Sequence, residues 1–389
     1  MKNRHERKSL VRVVHVTTVH HPFDPRICYK QLASLRDAGF DAHLIAPYEY
    51  DEQVQGISIH ALPRPETRWH RLALQPQVFK RALALDAALY QVHDPELLPL
   101  GFLLKRATGA RVVYDMHENY RSKGALLGRG LRALERWAFR WVDHVLLAEE
   151  SYQSIVEDHA VPHTCIANYF RPIGDEQPVA SVDTSKTPTR LLYTGTLSES
   201  RGLRTMVELA AEIQRTGRLE TVGLVGVCYH EDQRARAEER IRAERLDDVI
   251  ERVGWDTYVP PSAMPPHYRR ADVGLALCEP HPNHMGSLLT KFYEYLHYGL
   301  PIICSDFPRW RRFVERHACG AVVPPGEPGA VLDVLDAWQA HPERYRECAE
   351  NARAAAPKYR WETMGERLVN LYRRLLNDSS LTEPVTGSR

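Results

Sequence analysis

The residues able to bind and move a charged, hydroxylated ligand fall in a few short stretches. Lys291 and Glu294 stand three apart in TKFYEYLHYGLPIICS, a spacing that puts both on one face of a helix. An ammonium and a carboxylate there could hold the phosphate and ribose hydroxyls of a nucleotide; a solvated helical ion pair is the plainer reading. Arg201, with Gly202 in GTLSESRGLRTMVELAAEI, stands at a helix start, where free backbone N–H groups attract an anion. Gly195 in the same stretch permits close backbone approach to a ligand. His117 follows an apolar run in VVYDMHENY, and a lone histidine after a strand is either structural or a contact to substrate. His20, His21, Asp24 and Arg26 lie in TVHHPFDPRI, as turn-formers around Pro22 and Pro25 or as polar groups facing a ligand.

Elements must hold these groups in place. Residues 271–278 (ADVGLALC) read as a buried parallel strand. A loop carrying Asn283, His284, Gly286 and Ser287 follows, then a helix whose apolar residues Leu288, Leu289, Phe292, Leu296 and Tyr298 fall near helical spacing. Gly299 ends that helix, and 301–304 form the next strand. At the front of the chain a strand (11–17), a helix (28–38) and a strand (41–46) make a βαβ unit. Its first loop lacks GxGxxG, which argues against a nicotinamide dehydrogenase. Strands at 89–92 and 111–115 end in HDPELLPLG and MHENY, placing Asp94, His117 and Glu118 at strand ends, where open α/β sheets put ligands. Helices are expected at 69–88, single or divided near Pro76, and at 150–159. In the second half, strands at 190–194, 221–227 and 249–253 alternate with helices, the last strand ending at Gly254, Trp255 and Asp256. Helices at 328–341 and 361–376 close the chain.

With 389 residues the chain exceeds one ordinary core, so two domains are expected. A formal net charge of +1 argues against an obligatory nucleic-acid partner. The seven cysteines show no metal-binding spacing, and Cys28, Cys165, Cys278 and Cys304 read as buried thiols of a reducing cytosol. The basic N-terminus is followed by too short an apolar run for a signal peptide, and no apolar stretch is long enough to span a bilayer. Residues 121–141 carry Arg129, Arg132, Arg136 and Arg140 among Leu131, Leu134, Trp137, Phe139 and Trp141. That mixture suits peripheral contact with an anionic membrane or a surface helix with snorkelling arginines.

Several phrases in order, HHPFDPRICYKQLASLRDAGFDAHLIAP, VHDPELLPLG, VVYDMHENY, PNHMGS and TKFYEYLHYGLPIICSD, resemble the retaining family 4 glycosyltransferases, in the branch with a Lys-x-Phe-Glu-Tyr donor-site helix. The resemblance implies an α/β fold of GT-B type, two Rossmann-like domains with parallel sheets facing a central cleft. Residues 1–172 would form the acceptor domain, with helix 361–376 packing back on it and Asn168 at the domain junction. Residues 173–189 would be a linker, 190–360 the nucleotide-sugar domain and 378–389 a disordered tail. By the same resemblance Glu294 is the second glutamate of Glu-x7-Glu and binds the donor ribose, while the first falls at Gly286. Arg201 grips the donor diphosphate with Lys291, Thr196 stands where a second arginine is usual, and Gly254 and Trp255 lie against the base. Asn283, His284, Gly286, Ser287, Leu289 and Thr290 line the donor site. His117 lies beside the transferred sugar, and His21, Asp24, Arg26, Asp94 and Glu118 are on the acceptor side. The implied reaction moves a hexose from a UDP- or GDP-linked donor to a glycan or lipid-linked acceptor with retention, in cell-surface polysaccharide synthesis. It needs neither metal nor cofactor and takes place in the cytoplasm, at or near the inner membrane. A nucleotide-sugar 2-epimerase and a non-catalytic sugar-nucleotide-binding subunit are the alternatives.

Overall fold

The computed structural model describes residues 10–117, 125–172 and 188–377. Glu118, residues 121–124 of the basic stretch, most of the expected linker (173–187) and the tail 378–389 lie outside them. The chain divides into two compact units, Met1–Asn168 with Trp361–Arg389, and Tyr169–Arg360.

Unit 1 is built on β1 (Arg12–Val16), β2 (Asp41–Pro47), β3 (Glu52–Val54), β4 (Ile57–Leu62), β5 (Leu89–Val92), β6 (Arg111–Met116), β7 (His144–Leu147) and β8 (His163–Cys165). They form one sheet in the order β3-β4-β2-β1-β5-β6-β7-β8, parallel except for the β3–β4 pair. The central strands are continuous apolar runs because helices cover both faces, and Val14, Val16, Tyr90, Val92, Leu104 and Tyr114 are wholly shielded between them. Strand order reverses at β1 and β5, so the loops after these two strands diverge and leave a crevice at their carboxyl ends. The segment Trp361–Asn377 completes this unit, burying Trp361, Leu368, Leu371 and Tyr372. Its Trp361 indole donates to Ser34 Oγ at 2.8 Å.

Unit 2 carries β9 (Arg190–Thr194), β10 (Thr221–Val227), β11 (Ile250–Trp255), β12 (Val273–Ala276), β13 (Ile302–Ser305) and β14 (Gly320–Val323), all parallel in the order β11-β10-β9-β12-β13-β14. Its switch point lies between β9 and β12. The helix Thr290–Tyr298 packs on this sheet through Phe292, Tyr295, Leu296 and Tyr298. Tyr295 Oη reaches both Leu192 O and Leu275 O at 3.0 Å, tying the helix across the switch point.

Several expected elements change. The helix expected at 28–38 starts earlier, as a π-wound segment Pro25–Leu32 running into Ala33–Asp37, because Asp24 Oδ1 accepts from the Arg26 and Ile27 amides and caps it. The helix expected at 69–88 is continuous over Arg68–Leu85 and runs through Pro76; Pro76 and Leu72 are exposed, which keeps the carbonyl that proline frees on the water-facing side of the helix. The helix expected at 150–159 is broken into Glu150–Tyr152, Gln153–Val156 and Glu157–His159, since it offers the core only Val156. The loop expected at 283–287 is wound into Pro282–Gly286, and the next helix begins at Thr290 rather than 288. Two helices, Pro308–His317 and Pro342–Ala355, lie where the sequence reading placed none. All seven cysteines are free. Among the described residues no helix is long and apolar enough to cross a membrane.

Candidate active site

In unit 2 the polar groups gather at the β9/β12 switch point. Gly195, just past β9, has φ +106° and donates its amide to Val225 O. A Cβ on Gly226 would lie 1.9 Å from Gly195 O, so glycine alone lets the two strand ends meet. Tyr193 Oη donates to Thr196 O at 2.7 Å and pins the loop. Gly202, at φ +85°, opens the helix Leu203–Arg215, and its missing Cβ would sit 1.9 Å from Leu277 O, just beyond β12. Arg201 is thereby held at the mouth of that helix, close enough to Tyr193, Cys278, His284 and Lys291 to shift their protonation.

Lys291 is buried, 3% exposed, and its Nζ sits 3.4 Å from the centroid of the Tyr193 ring, a cation–π contact. Among the described residues Nζ has no hydrogen-bond partner. Burial pushes its pKa down to about 7, Arg201 pushes the same way, and Cys278 and Glu294 oppose it. The Thr290–Tyr298 helix starts without a side-chain cap; the Phe292 amide turns back to Leu289 O at 3.1 Å, which leaves the amides of Thr290 and Lys291 to meet an anion. His284 is also buried, with Nδ1 unpartnered among the described residues. Burial first, then Arg201, brings its pKa to about 4, so the ring is neutral.

Glu294 is half-buried and accepts from Tyr268 Oη at 2.6 Å. Tyr268 was not anticipated; only its contact in the fold identifies it. Gly286 leaves open space where a Cβ would project, and its carbonyl accepts from Arg309 Nη1 at 2.9 Å. Ser287 O accepts from the Trp310 indole at 2.7 Å, Leu289 is the residue before the helix, and Thr290 is its exposed first residue. The Asn283 side chain is outside what the structure describes. Trp255 is a correction. The residue is 6% exposed and its ring belongs to the core. Gly254, at φ +92°, is required there because a Cβ would meet Val259 Cγ2 at 2.5 Å and Gly226 O at 2.7 Å.

In unit 1 the sequence-named residues separate into those beneath the crevice and those at its surface. Arg26 is a second correction: it is 4% exposed and pairs with Asp115 through Nη2–Oδ1 at 2.7 Å and Nε–Oδ2 at 3.1 Å, with Nη1 on Ile166 O. Its guanidinium is thus committed inside the fold. Asp24 caps the helix through Oδ1 while its Oδ2 faces His20, and Asp94 accepts from Thr17 Oγ1 and the Thr18 amide; both shape the loop after β1. His20 lies 3.5 Å from Asp24 and 3.8 Å from Asp94. Burial alone would lower its pKa, but these carboxylates outweigh burial and raise it. His21 is near the surface, its Nδ1 accepting from the Phe23 amide.

His117 Nε2 stands 2.8 Å from His93 Nδ1 and 3.1 Å from Asp115 Oδ2. Its side chain is 11% exposed, while His93 and Asp115 are closed off. These three residues bring ligand-type atoms together at the spacing a metal ion would take. Asp115 Oδ2, however, already accepts from Gln31 Nε2 at 2.7 Å and Arg26 Nε at 3.1 Å, so a cation would have to share a carboxylate that a guanidinium has neutralised.

Two family descriptions match consecutive parts of the chain, "Glycosyl transferase 4-like domain" over residues 26–167 and "Glycosyl transferases group 1" over residues 176–355. An α-D-kanosaminyltransferase of Streptomyces kanamyceticus is 26% identical over 188 residues, covering 48% of this chain and 45% of that protein, less than half its length. Among solved structures, the sucrose-phosphate synthase of Thermosynechococcus elongatus superposes with TM-score 0.74 at 16% identity, over 95% of this chain and 100% of that one. Anabaena HepE, in complex with UDP and glucose, gives 0.70 at 15% identity over 93% and 99%. At such identities these structures speak for the fold, and together with the family matches they place the chain among the family 4, group 1 glycosyltransferases of GT-B fold.

Proposed function

We propose that the chain transfers a hexose from a UDP- or GDP-linked donor to a glycan or lipid-linked acceptor, with retention of configuration, in cell-surface polysaccharide synthesis. The observation that carries this reading is Lys291, a buried ammonium without a protein acceptor, set with Arg201 beside an uncapped helix start. Such a group is costly unless an anion reaches it, and a diphosphate supplies the charge. Leaving-group departure puts negative charge on the diphosphate and oxocarbenium-like charge on the sugar. Arg201, Lys291 and the first amides of Thr290–Tyr298 stabilise the former. Glu294, aimed by Tyr268, takes the ribose hydroxyls, and neutral His284 stands where Gly286 withholds a carboxylate. No metal is required in this scheme, because cationic side chains do the neutralising. The acceptor falls to unit 1, with His117 contacting one of its sugar hydroxyls. HepE with UDP-glucose and a UDP-forming trehalose-phosphate synthase of Burkholderia vietnamiensis share the fold, which supports a UDP donor.

On the Ala125–Ala138 helix, Arg129 and Arg136 are exposed beside Trp137, which supports peripheral membrane contact during work on a lipid-linked acceptor at the cytoplasmic face. A non-catalytic binding subunit is the second reading, and Gly286 favours it.

Thermal shifts with UDP, GDP, ADP, TDP and CMP and their sugars test the donor site, since saturation a hundredfold above Kd stabilises by about 2.7 kcal/mol. A shift with one nucleoside diphosphate, lost in Glu294→Ala, is expected; no shift with any would overturn the donor assignment. Lys291→Ala should lower kcat by roughly 10²–10³-fold, as loss of a charge-stabilising group does elsewhere. The anomeric configuration of the product, read by NMR, decides retention, and donor binding without product would favour the non-catalytic subunit.

A further inference from the structure

Seven buried or nearly buried side chains of unit 1 close a ring of hydrogen bonds, and one carboxylate fixes every proton in it. Asp115 is ion-paired to Arg26 and wholly buried, so its Oδ2 can only accept. Gln31 Nε2 donates to it at 2.7 Å, leaving Gln31 Oε1 to accept from Gln91 Nε2 at 2.7 Å. Gln91 Oε1 then faces Tyr372, whose hydroxyl gives up its single proton at 2.6 Å. The Tyr372 oxygen is left as an acceptor, and His15 Nε2 reaches it at 3.0 Å. His15 is buried and neutral, so a proton on Nε2 means none on Nδ1. His93 Nε2 must therefore donate to His15 Nδ1 at 3.0 Å, and Gln91 Nε2, 3.3 Å from His93 Nε2, turns its second proton to Asp115 Oδ2 at 3.5 Å. His93 is neutral too, its pKa brought by burial to about 4, which leaves its Nδ1 bare. His93 Nδ1, His117 Nε2 and Asp115 Oδ2 lie within 3.3 Å of one another; with Nδ1 bare, the one proton among them sits on His117 Nε2, 2.8 Å from His93 Nδ1 and 3.1 Å from Asp115 Oδ2, where the ring began.

From His117 through His93, His15, Tyr372, Gln91 and Gln31 to Asp115 every donor points the same way, so the bonds polarise one another, and the closing contact returns from His117 Nε2 to the same carboxylate. The opposite direction would turn the Gln31 amide oxygen onto the Asp115 carboxylate at 2.7 Å, an approach of two acceptors with no proton between them. The charged or chargeable groups around the ring are Arg26, His20, Asp24 and Asp94; none breaks it.

We propose that this ring locks His117 in its Nε2-protonated tautomer, so that the acceptor His117 offers to a sugar hydroxyl is the lone pair of Nδ1. Tyr372, Gln91, His15 and His93 are positioning residues for it. The sugar contact rests on the function proposed above; the tautomer does not. A divalent ion among His93, Asp115 and His117 would demand the reverse, a bare His117 Nε2.

Ring-nitrogen NMR of the full-length protein with 15N-labelled histidine, in EDTA at about pH 8, above the ordinary histidine range, tests this without substrate. His15, His93 and His117 should each show a protonated Nε2 and a bare Nδ1. Any of the three protonated on Nδ1 instead, or a shift of His93 and His117 on adding Zn²⁺, would overturn the proposal. Tyr372→Phe removes the hydroxyl that passes the ring's direction on, and Gln91→Leu cuts the ring elsewhere. In either variant His117 should become a mixture of tautomers and kcat should fall roughly tenfold, one hydrogen bond's worth, with KM for the donor little changed. An unaltered His117 in both variants sinks the ring. A His117 that changes tautomer while kcat holds would instead remove His117 from contact with the sugar and leave the ring standing.

Discussion

At the residue scale the proposed donor site turns on a lysine held near its own neutral point. Lys291 has a pKa of about 7 against an ordinary 10.5, and a bound diphosphate must raise it, so binding takes up a proton. Affinity for a nucleoside diphosphate should therefore weaken as pH rises above about 7, by up to tenfold per unit. Titration calorimetry at several pH values should show this in the wild type and a flat profile in Lys291→Ala. The linkage to folding runs the other way. The unfolded chain binds this proton more tightly, so the lysine's burden on stability eases as pH climbs from 7 toward 10.5. Lys291, Glu294 and Arg201 could be singled out in the sequence because their spacing and neighbours carry a recognisable phrase. Arg26, Asp24 and Asp94 stand in an equally recognisable phrase, yet their partners, Asp115, the first turn of a helix and the Thr17–Thr18 corner, lie on other elements or are fixed only by folding. Nothing in spacing distinguishes a residue that faces a ligand from one that holds up the loop beneath it. For the same reason Tyr268 was invisible: a tyrosine twenty-six residues from its carboxylate has no signature until the helix and strand are packed.

At the scale of elements, the glycines at the β9/β12 switch point decide whether the site can assemble. Gly202→Ala would force a left-handed backbone angle on alanine and drive its Cβ into Leu277 O, costing about 2 to 4 kcal/mol. A urea melt should show the loss. Arg201 should be displaced with its helix, so nucleotide affinity should fall further than stability alone explains. Gly195→Ala meets open space, and only its φ of +106° opposes it, so it should be the milder change. The parallel strands were readable as apolar runs bounded by turn residues. Helix boundaries were harder, because Pro76 breaks a helix only where the freed carbonyl is buried, and burial is not written in the local sequence. Pro308–His317 went unread for a related reason. Its buried Trp310, Phe313 and Val314 are set among charged residues that read as surface.

At the scale of the molecule, unit 1 is made from two stretches separated by the whole of unit 2. Removal of Trp361–Asn377 should uncover the surface beneath Trp361 and Tyr372 and loosen β1 and β5. Hydrogen exchange should rise across unit 1 and leave unit 2 near its original protection. The two-unit division was foreseeable from length and from the family resemblance, but the ring that this returning helix completes was not, since Gln31, Gln91 and Tyr372 meet only in the finished fold.

The same interruption sets an order in time. As the ribosome delivers the chain, Tyr169–Arg360 has all its strands before Trp361–Asn377 exists, so the unit that comes second in the sequence can be the first to finish. The earlier stretch must wait with an open flank, reversing the usual amino-to-carboxyl sequence of domain folding. Limited proteolysis of stalled nascent chains should find unit 2 resistant while unit 1 is still cut, until the chain has emerged past Asn377. Tyr372 arrives in that returning helix, so His117 acquires its settled proton only once Trp361–Asn377 has been made, and until then a finished unit 2 is joined to an unfinished unit 1.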